Sequence, residues 1–289
     1  MPEIEIGSTG WYDTLQDEGR PGYQSFGVPV GGAMDRRAAA LANQLVHNPL
    51  STPVLESTLM GPRLRFHTPA QIALTGASIQ PQLNGAPVPT YTTLTVGAGS
   101  VLEVGRMEKG CRTYLAVHGE WQVPKWLGSC SPPPFQADQL TPASVIRPHQ
   151  RIHIKAGKLV PIRAIELKNR PAFPQQRTVG VLPGPEWPAF SRLAIARFFG
   201  KAFTVSNEAN RMGLRLKETV EHTSTLGQLI SSAVLPGTVQ LPPSGQPIIL
   251  MADAQTTGGY PRLVQVLADD LPILAQLRPG DRIRFTLPE

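Results

Sequence analysis

Asp253, Gln255, Thr256, Thr257, Gly258, Gly259 and Tyr260 fall within "DAQTTGGYPRL", directly behind the apolar run "PIILMA". A turn accounts for the glycines but not for a carboxylate, an amide and two hydroxyls beside them. These side chains can both accept and donate to a small polar amide or carboxylate, and the glycine pair would let Tyr260 pack closely over them. A second group, "LPGPEWPAF", holds Gly184 and Glu186 between prolines that fix the backbone. A carboxylate presented so rigidly suits an amine or amide ligand, or acid–base work. In "NEANRMGLRL" the fork of Arg211, beside Asn210, matches a carboxylate or phosphate; it also suits a structural pair with Glu186 or Glu208. Finally, Gln16, Asp17 and Arg20 precede Gly31-Gly32 and a helix opened by Asp35. Paired glycines let backbone N–H groups approach a ligand, and a helix N-terminus favours an anion, though a tight entry to the helix explains the same glycines.

Other chemistries find less support. No G-K-[ST] follows the glycine pair, which excludes a Walker site, and neither G-x-S-x-G nor a Ser-His-Asp or Cys-His arrangement is present. His149 and His153 in "HQRIHI" sit in an alternating pattern that predicts a strand. There the two rings would share a face more than about 10 Å apart, with no third ligand nearby, so no metal site is expected. Cys111 and Cys130 are the only cysteines, without CxxC spacing, and no disulfide is demanded. A formal charge of +6 raises nucleic acid or an anionic membrane as partners, but the basic residues are scattered singly and the 6% of aromatics do not interleave with them. The start "MPEIEIGSTG" lacks signal-peptide character, and no stretch reaches the about 20 apolar residues of a membrane span, so a cytoplasmic location is expected.

The elements that must position these clusters are mostly strands. The 289 residues include 27 Gly and 30 Pro without a G-X-Y period, the punctuation of a β-rich chain with many turns. In "GGAMDRRAAALANQLVHNP", Asp35 is a candidate N-cap, and Ala38, Leu41, Ala42 and Leu45 share a helical face. Period-two or short apolar runs follow: "RLRFHT", "AQIALTG", "VLEVG", "RTYLAVHG" and "RIHIKA". "GSCSPPPFQADQLTPAS" reads as a loop, because three successive prolines cannot lie in a central strand. A second β-rich block carries helices at "FSRLAIARFFG" and "DDLPILAQL". The boundary falls between residues 160 and 178, giving units of 1–165 and 166–289 with interleaving left open, each a small barrel or curled sheet with few helices.

The blocks "TLQDEGRPGYQSFGVPVGGAMDRRAAALANQLVHNP", "LES", "IALTGA", "LPGPEWPAF", "NRMGLRL", "GTVQLPPSGQPIILMADAQTTGGYPRL" and "LAQLRPGDRIRF" together resemble the biotin-dependent carboxyltransferase family. That family includes the second member of the allophanate hydrolase pair, KipA-like proteins and the C-subunit of the bacterial ATP-dependent 5-oxoprolinase. The resemblance implies a mainly β fold of two cyclophilin-like β-barrel domains with a few short helices. It implies a KipI-like companion (allophanate hydrolase subunit 1-like, the 5-oxoprolinase B-subunit) and a LamB/YcsF-like chain (the A-subunit). The implied activity is opening of 5-oxoproline to L-glutamate, with ATP used through the complex. The alternatives are biotin-dependent carboxylation of urea, or regulation without catalysis. With the matched blocks, Gln255, Thr256 and the Gly258-Gly259 backbone would orient the amide. Asp253 or Glu186 would handle protons, and Arg211 or Arg20 would hold a carboxylate or phosphoryl group. The proline-rich central segment departs from the glycine-rich turns usual in the family.

Overall fold

The computed structural model describes residues 3–155, 157–221 and 229–288. The chain divides into two compact units, Met1–Arg20 with Gly31–Phe173, and Pro21–Val30 with Pro174–Glu289.

Strands of the first unit are β1 Glu3–Ser8, β2 Tyr12–Gln16, β3 Val54–Thr58, β4 Met60–Phe66, β5 Ala70–Ile79, β6 Gln82–Leu83 and β7 Ala86–Pro87. They continue with β8 Leu94–Val96, β9 Val101–Val117, β10 Glu120–Trp121 and β11 Arg151–Lys155. All join one sheet, whose main path runs β10-β11-β1-β4-β9-β3-β2. The long strand β9 makes the sheet curl: its first half pairs with β4 and its second with β3 and β5, and Gly105 and Gly110 within it take φ of 78° and 79°. Ile4, Ile6, Leu64, Phe66, Ile72, Leu74, Leu102 and Leu115 fill the core inside this curl. Helix α1, Arg36–Leu45, packs Ala38, Ala39, Ala42 and Leu45 against Ala73, Tyr114 and Ala116. Small alanines let the helix approach the sheet, and Asp35 caps it by accepting from Ala38 N at 2.9 Å.

The central segment is less irregular than its prolines suggest. It holds a one-turn helix, α2 Ala137–Leu140, and a 3₁₀ turn, Pro142–Ser144. His149 lies outside β11 at φ 64°, so the expected shared strand face for His149 and His153 does not exist. The prolines and turn residues on its N-terminal side end the alternation sooner than the pattern indicates.

The second unit has β12 Gln176–Pro183, helix α3 Arg192–Phe199, β13 Phe203–Thr204, β14 Gly213–Arg215 and β15 Ser232–Ala233. Then come β16 Thr238–Gln240, β17 Ile248–Leu250, β18 Thr257–Gly258, β19 Arg262–Val266, helix α4 Leu271–Ala275 and β20 Arg282–Thr286. Its main sheet runs β13-β20-β12-β19-β16-β17-β14, while β15 and β18 form a separate two-stranded ribbon. Parallel pairing of β12 with β20 ties the start of the block to its end. Phe198 of α3 stacks on Phe285 of β20 at 4.5 Å between centroids, beside Phe203. Ser191 caps α3, and a 3₁₀ turn, Ala268–Asp270, leads into α4 where one helix is expected. Pro272 suits the first turn of α4, where its missing N–H has no intrahelical acceptor to lose.

Candidate functional site

The sequence-predicted residues gather into two groups, each within its own unit. In the first, Asp17 is the centre of a network. Its Oδ1 accepts from Ser129 Oγ (2.5 Å), Ser131 Oγ (2.8 Å) and Gly19 N (2.8 Å), and its Oδ2 accepts from Cys130 N at 2.8 Å. Arg20, only 1% exposed, donates to the carbonyl oxygens of Ser131 and Trp126, and its guanidinium lies 5.0 Å from the Trp126 ring centroid. Residues 126–131 are thereby fastened to 17–20, and Arg20 is buried in that fastening. Gln16 is fully buried and donates through Nε2 to Thr14 Oγ1 at 2.9 Å.

The glycine pair also serves the fold. Gly31 and Gly32 take φ of 67° and 90°, and a Cβ on Gly32 would come within 2.8 Å of the Glu18 carbonyl carbon. Beyond them, Met34 N donates to Glu56 Oε2 (2.8 Å), Asp35 N to Tyr114 OH (2.8 Å) and Ala38 N to Asp35 Oδ1 (2.9 Å). The start of α1 therefore holds two carboxylates of the protein itself, which a phosphate there would meet as like charge. Glu56 in turn lies 3.7 Å from Arg112 Nε, both nearly inaccessible. Sequence reasoning missed Glu56, Arg112, Ser129 and Ser131. A charged residue inside the apolar run "VLEST" and the paired hydroxyls of "GSCS" are the signals that could have found them.

In the second unit, Arg211 and Asp253 face each other as a buried bidentate pair, with Nε to Oδ2 at 2.7 Å and Nη2 to Oδ1 at 2.9 Å. Asp253 N also donates to Arg211 O at 3.0 Å. The alternatives of Glu186 or Glu208 as structural partner of Arg211 are thus replaced by Asp253; Glu208 lies 3.5 Å from Arg215 instead. Asn210 is exposed, and its Oδ1 accepts from Met212 N and Gly213 N, an Asx turn leading into β14.

Glu186 makes a second fork. Arg262 reaches its Oε2 through Nε (2.9 Å) and its Oε1 through Nη2 (2.6 Å), and donates to Ala233 O at 2.8 Å. The hydrogen bond from Arg262 outweighs burial and holds the Glu186 carboxyl below the usual carboxylate value. At neutral pH Glu186 is therefore an ionised acceptor, unsuited to deliver a proton. Gly184, close beneath, has no room for a Cβ against the Arg262 backbone. Arg262, absent from the sequence candidates although it stands in "YPRL", is the residue that joins Glu186 to the ribbon.

That ribbon contains Thr257 and Gly258, paired with Ala233 and Ser232. Gln255 and Thr257 face solvent, Thr256 is half-buried and Gly259 lies partly covered. Tyr260 is 47% exposed, and what approaches Gly258 is the Gln240 side chain. Among the described residues, no group of three or more His, Cys, Asp and Glu side chains is placed to hold a metal ion. Nor, among them, is any helix long and apolar enough to cross a membrane.

Against known proteins, residues 26–287 match the family described as "Carboxyltransferase domain, subdomain A and B". The chain is 37% identical to the 5-oxoprolinase C-subunit of Escherichia coli (strain K12) over 282 residues, 98% of this chain and 90% of that one. It is 36% identical to the 5-oxoprolinase C-subunit of Haemophilus influenzae over 94% of this chain and 87% of the relative. The crystal structure of Kluyveromyces lactis urea carboxylase superposes with a TM-score of 0.91 at 28% identity, covering 99% of this chain and 27% of that larger one. Two curled, mainly β units and a match running through nearly the whole length place this chain in the carboxyltransferase-domain family.

Proposed function

We propose that this chain is the C-subunit of an ATP-dependent 5-oxoprolinase, opening 5-oxo-L-proline to L-glutamate with companion chains and inactive without them. The observation that carries this reading is the end-to-end likeness to two bacterial subunits of nearly the same length. The companions are a KipI-like chain and a LamB/YcsF-like chain. The segment 255–260 supports a small-amide substrate, since it sets exposed amide and hydroxyl groups beside close-packed glycine backbone.

In this reading Gln255, Thr256 and Thr257 bind and orient the lactam, and preorganised donors stabilise negative charge as it develops on the carbonyl oxygen. Asp253 and Glu186 act by position, because a guanidinium takes both oxygens of each. ATP supplies activation of a poorly electrophilic lactam. The carboxylates at the start of α1 do not fit a nucleotide phosphate, so no step at that helix is assigned to it. Urea carboxylation with biotin is the second reading, favoured by the close superposition on urea carboxylase.

The test is release of phosphate and glutamate from ATP and 5-oxoproline by the chain reconstituted with a KipI-like and a LamB/YcsF-like companion. Turnover that disappears when this chain is omitted supports the proposal. A complex that forms without 5-oxoproline turnover rejects it in favour of urea carboxylation or regulation of a KipA-like kind.

A further inference from the structure

Gln240, at the end of β16 in the middle of the second unit's sheet, is 1% exposed, and its Nε2 has no hydrogen-bond partner among the described residues. The amide nitrogen lies against Gly258 so closely that a Cβ there would collide with it. Gly258 takes no positive φ, so the absence of a side chain serves this approach rather than a turn. Covering the amide is the ribbon of β15 and β18, which has two residue pairs, Ser232 with Gly258 and Ala233 with Thr257. Val234 N to Thr256 O (3.0 Å) and Arg262 Nη1 to Ala233 O (2.8 Å) are its further ties. A ribbon so short has little stability of its own. A buried donor without an acceptor raises the free energy of the covered state, and an incoming acceptor would relieve it.

Charge decides what that acceptor is. The two acids near the 253–262 segment, Asp253 and Glu186, are each matched by a guanidinium, Arg211 and Arg262. Four charges cancel in pairs, leaving a neutral donor as the group to be satisfied. Such a setting suits a neutral carbonyl oxygen better than an anion.

We propose that Gln240 is a substrate-binding residue whose carboxamide, once the β15–β18 ribbon lifts, donates to the carbonyl oxygen of a small lactam or planar amide held by residues 255–260. The inference rests on the reading of that segment as an amide site. It adds the donor and the moving element.

The experiment uses the full-length chain labelled with ¹⁵N, alone and with its companion chains, titrated with 2-pyrrolidinone and with 5-oxoproline. The Gln240 side-chain amide signal is assigned by its loss in Gln240→Met. Binding is expected to shift that signal, and Gln240→Met is expected to bind 2-pyrrolidinone about tenfold more weakly with an undiminished Tm. Gln240→Glu, which keeps the shape and replaces the donor by an acceptor, serves as the second variant and is expected to weaken binding likewise. A wild-type chain that binds neither lactam overturns the inference. So does a Gln240 signal that stays still while ligand binds, or a variant of unchanged affinity. The phosphate-release assay separates the two readings. Turnover with an inert Gln240 ends this inference alone, whereas lactam binding through Gln240 without 5-oxoproline turnover ends the 5-oxoprolinase reading alone.

Discussion

Asp253 and Glu186 have the chemistry of acids, yet each is bound into an arginine fork, and this changes what substitution there reports. Breaking one side of a buried ion pair costs on the order of 3–5 kcal/mol because the other charge is stranded. Asp253→Asn is therefore expected to lower the calorimetric Tm as well as activity, and Arg211→Met combined with Asp253→Leu to recover much of the lost stability. A single variant with wild-type Tm would return Asp253 to the proton-handling groups. Asp13 offers a pH test away from either pair. Burial pushes its carboxyl up to about 6, against hydrogen bonds from Ser57 and Gly10 that pull it down. A folded value above the unfolded one of about 3.9 means the stability held by the protonated group is complete at low pH and lost as pH rises through 6. Asp13→Asn should melt above the wild type at pH 8, with the gap narrowing by pH 5; thermal melts at the two pH values decide it, and a constant gap contradicts the assignment.

At the level of elements, close approach explains Gly184 and Gly258 better than turns do. Gly184 sits where a side chain would meet the Arg262 backbone at the β12–β19 pairing. Gly184→Ala should split that pairing and sharply reduce the soluble folded yield; normal yield and melting would show that the strands can separate without harm. Gly258→Ala acts on a smaller element, forcing a methyl into the Gln240 amide and displacing the ribbon while the seven-stranded sheet persists. Hydrogen exchange should then speed up at Val234 N–H, which donates to Thr256 O, and stay slow at Val264 and Val266 in β19. Uniform acceleration would mean that the ribbon is integral to the sheet.

For the whole molecule, chain order and compact units differ in one place. Pro21–Val30 belongs to the second unit although it precedes nearly all of the first. A fragment spanning 174–289 lacks that segment and should melt lower and less cooperatively than the full chain by circular dichroism. A fragment as stable as the parent would make residues 21–30 dispensable. The compact units part after Phe173, where the polar, proline-bearing stretch "ELKNRPAFPQQR" interrupts the apolar pattern. The return of ten residues from the N-terminal region was not legible, because "PGYQSFGVPV" carries the same turn residues as any surface loop.

Local signals settled the local facts. Asp35 and Ser191 mark the starts of their helices, alternating apolar residues mark the strands, and the clustered polar side chains behind "PIILMA" mark a segment dense in hydrogen-bonding groups. These depend on neighbours within a few residues, which the sequence records directly. Pairings across the fold were decided only in three dimensions. Arg211 meets Asp253 across 42 positions, Glu186 meets Arg262 across 76, and Asp17 meets Ser129 across 112. A period of two tells which face of a strand a residue occupies, but strand order and register determine what stands opposite it. The carboxylates and Arg211 were therefore visible as candidates from the sequence alone, while the pairing that neutralises them, and the unmatched amide of Gln240 beside the ribbon, came from the way the sheets close.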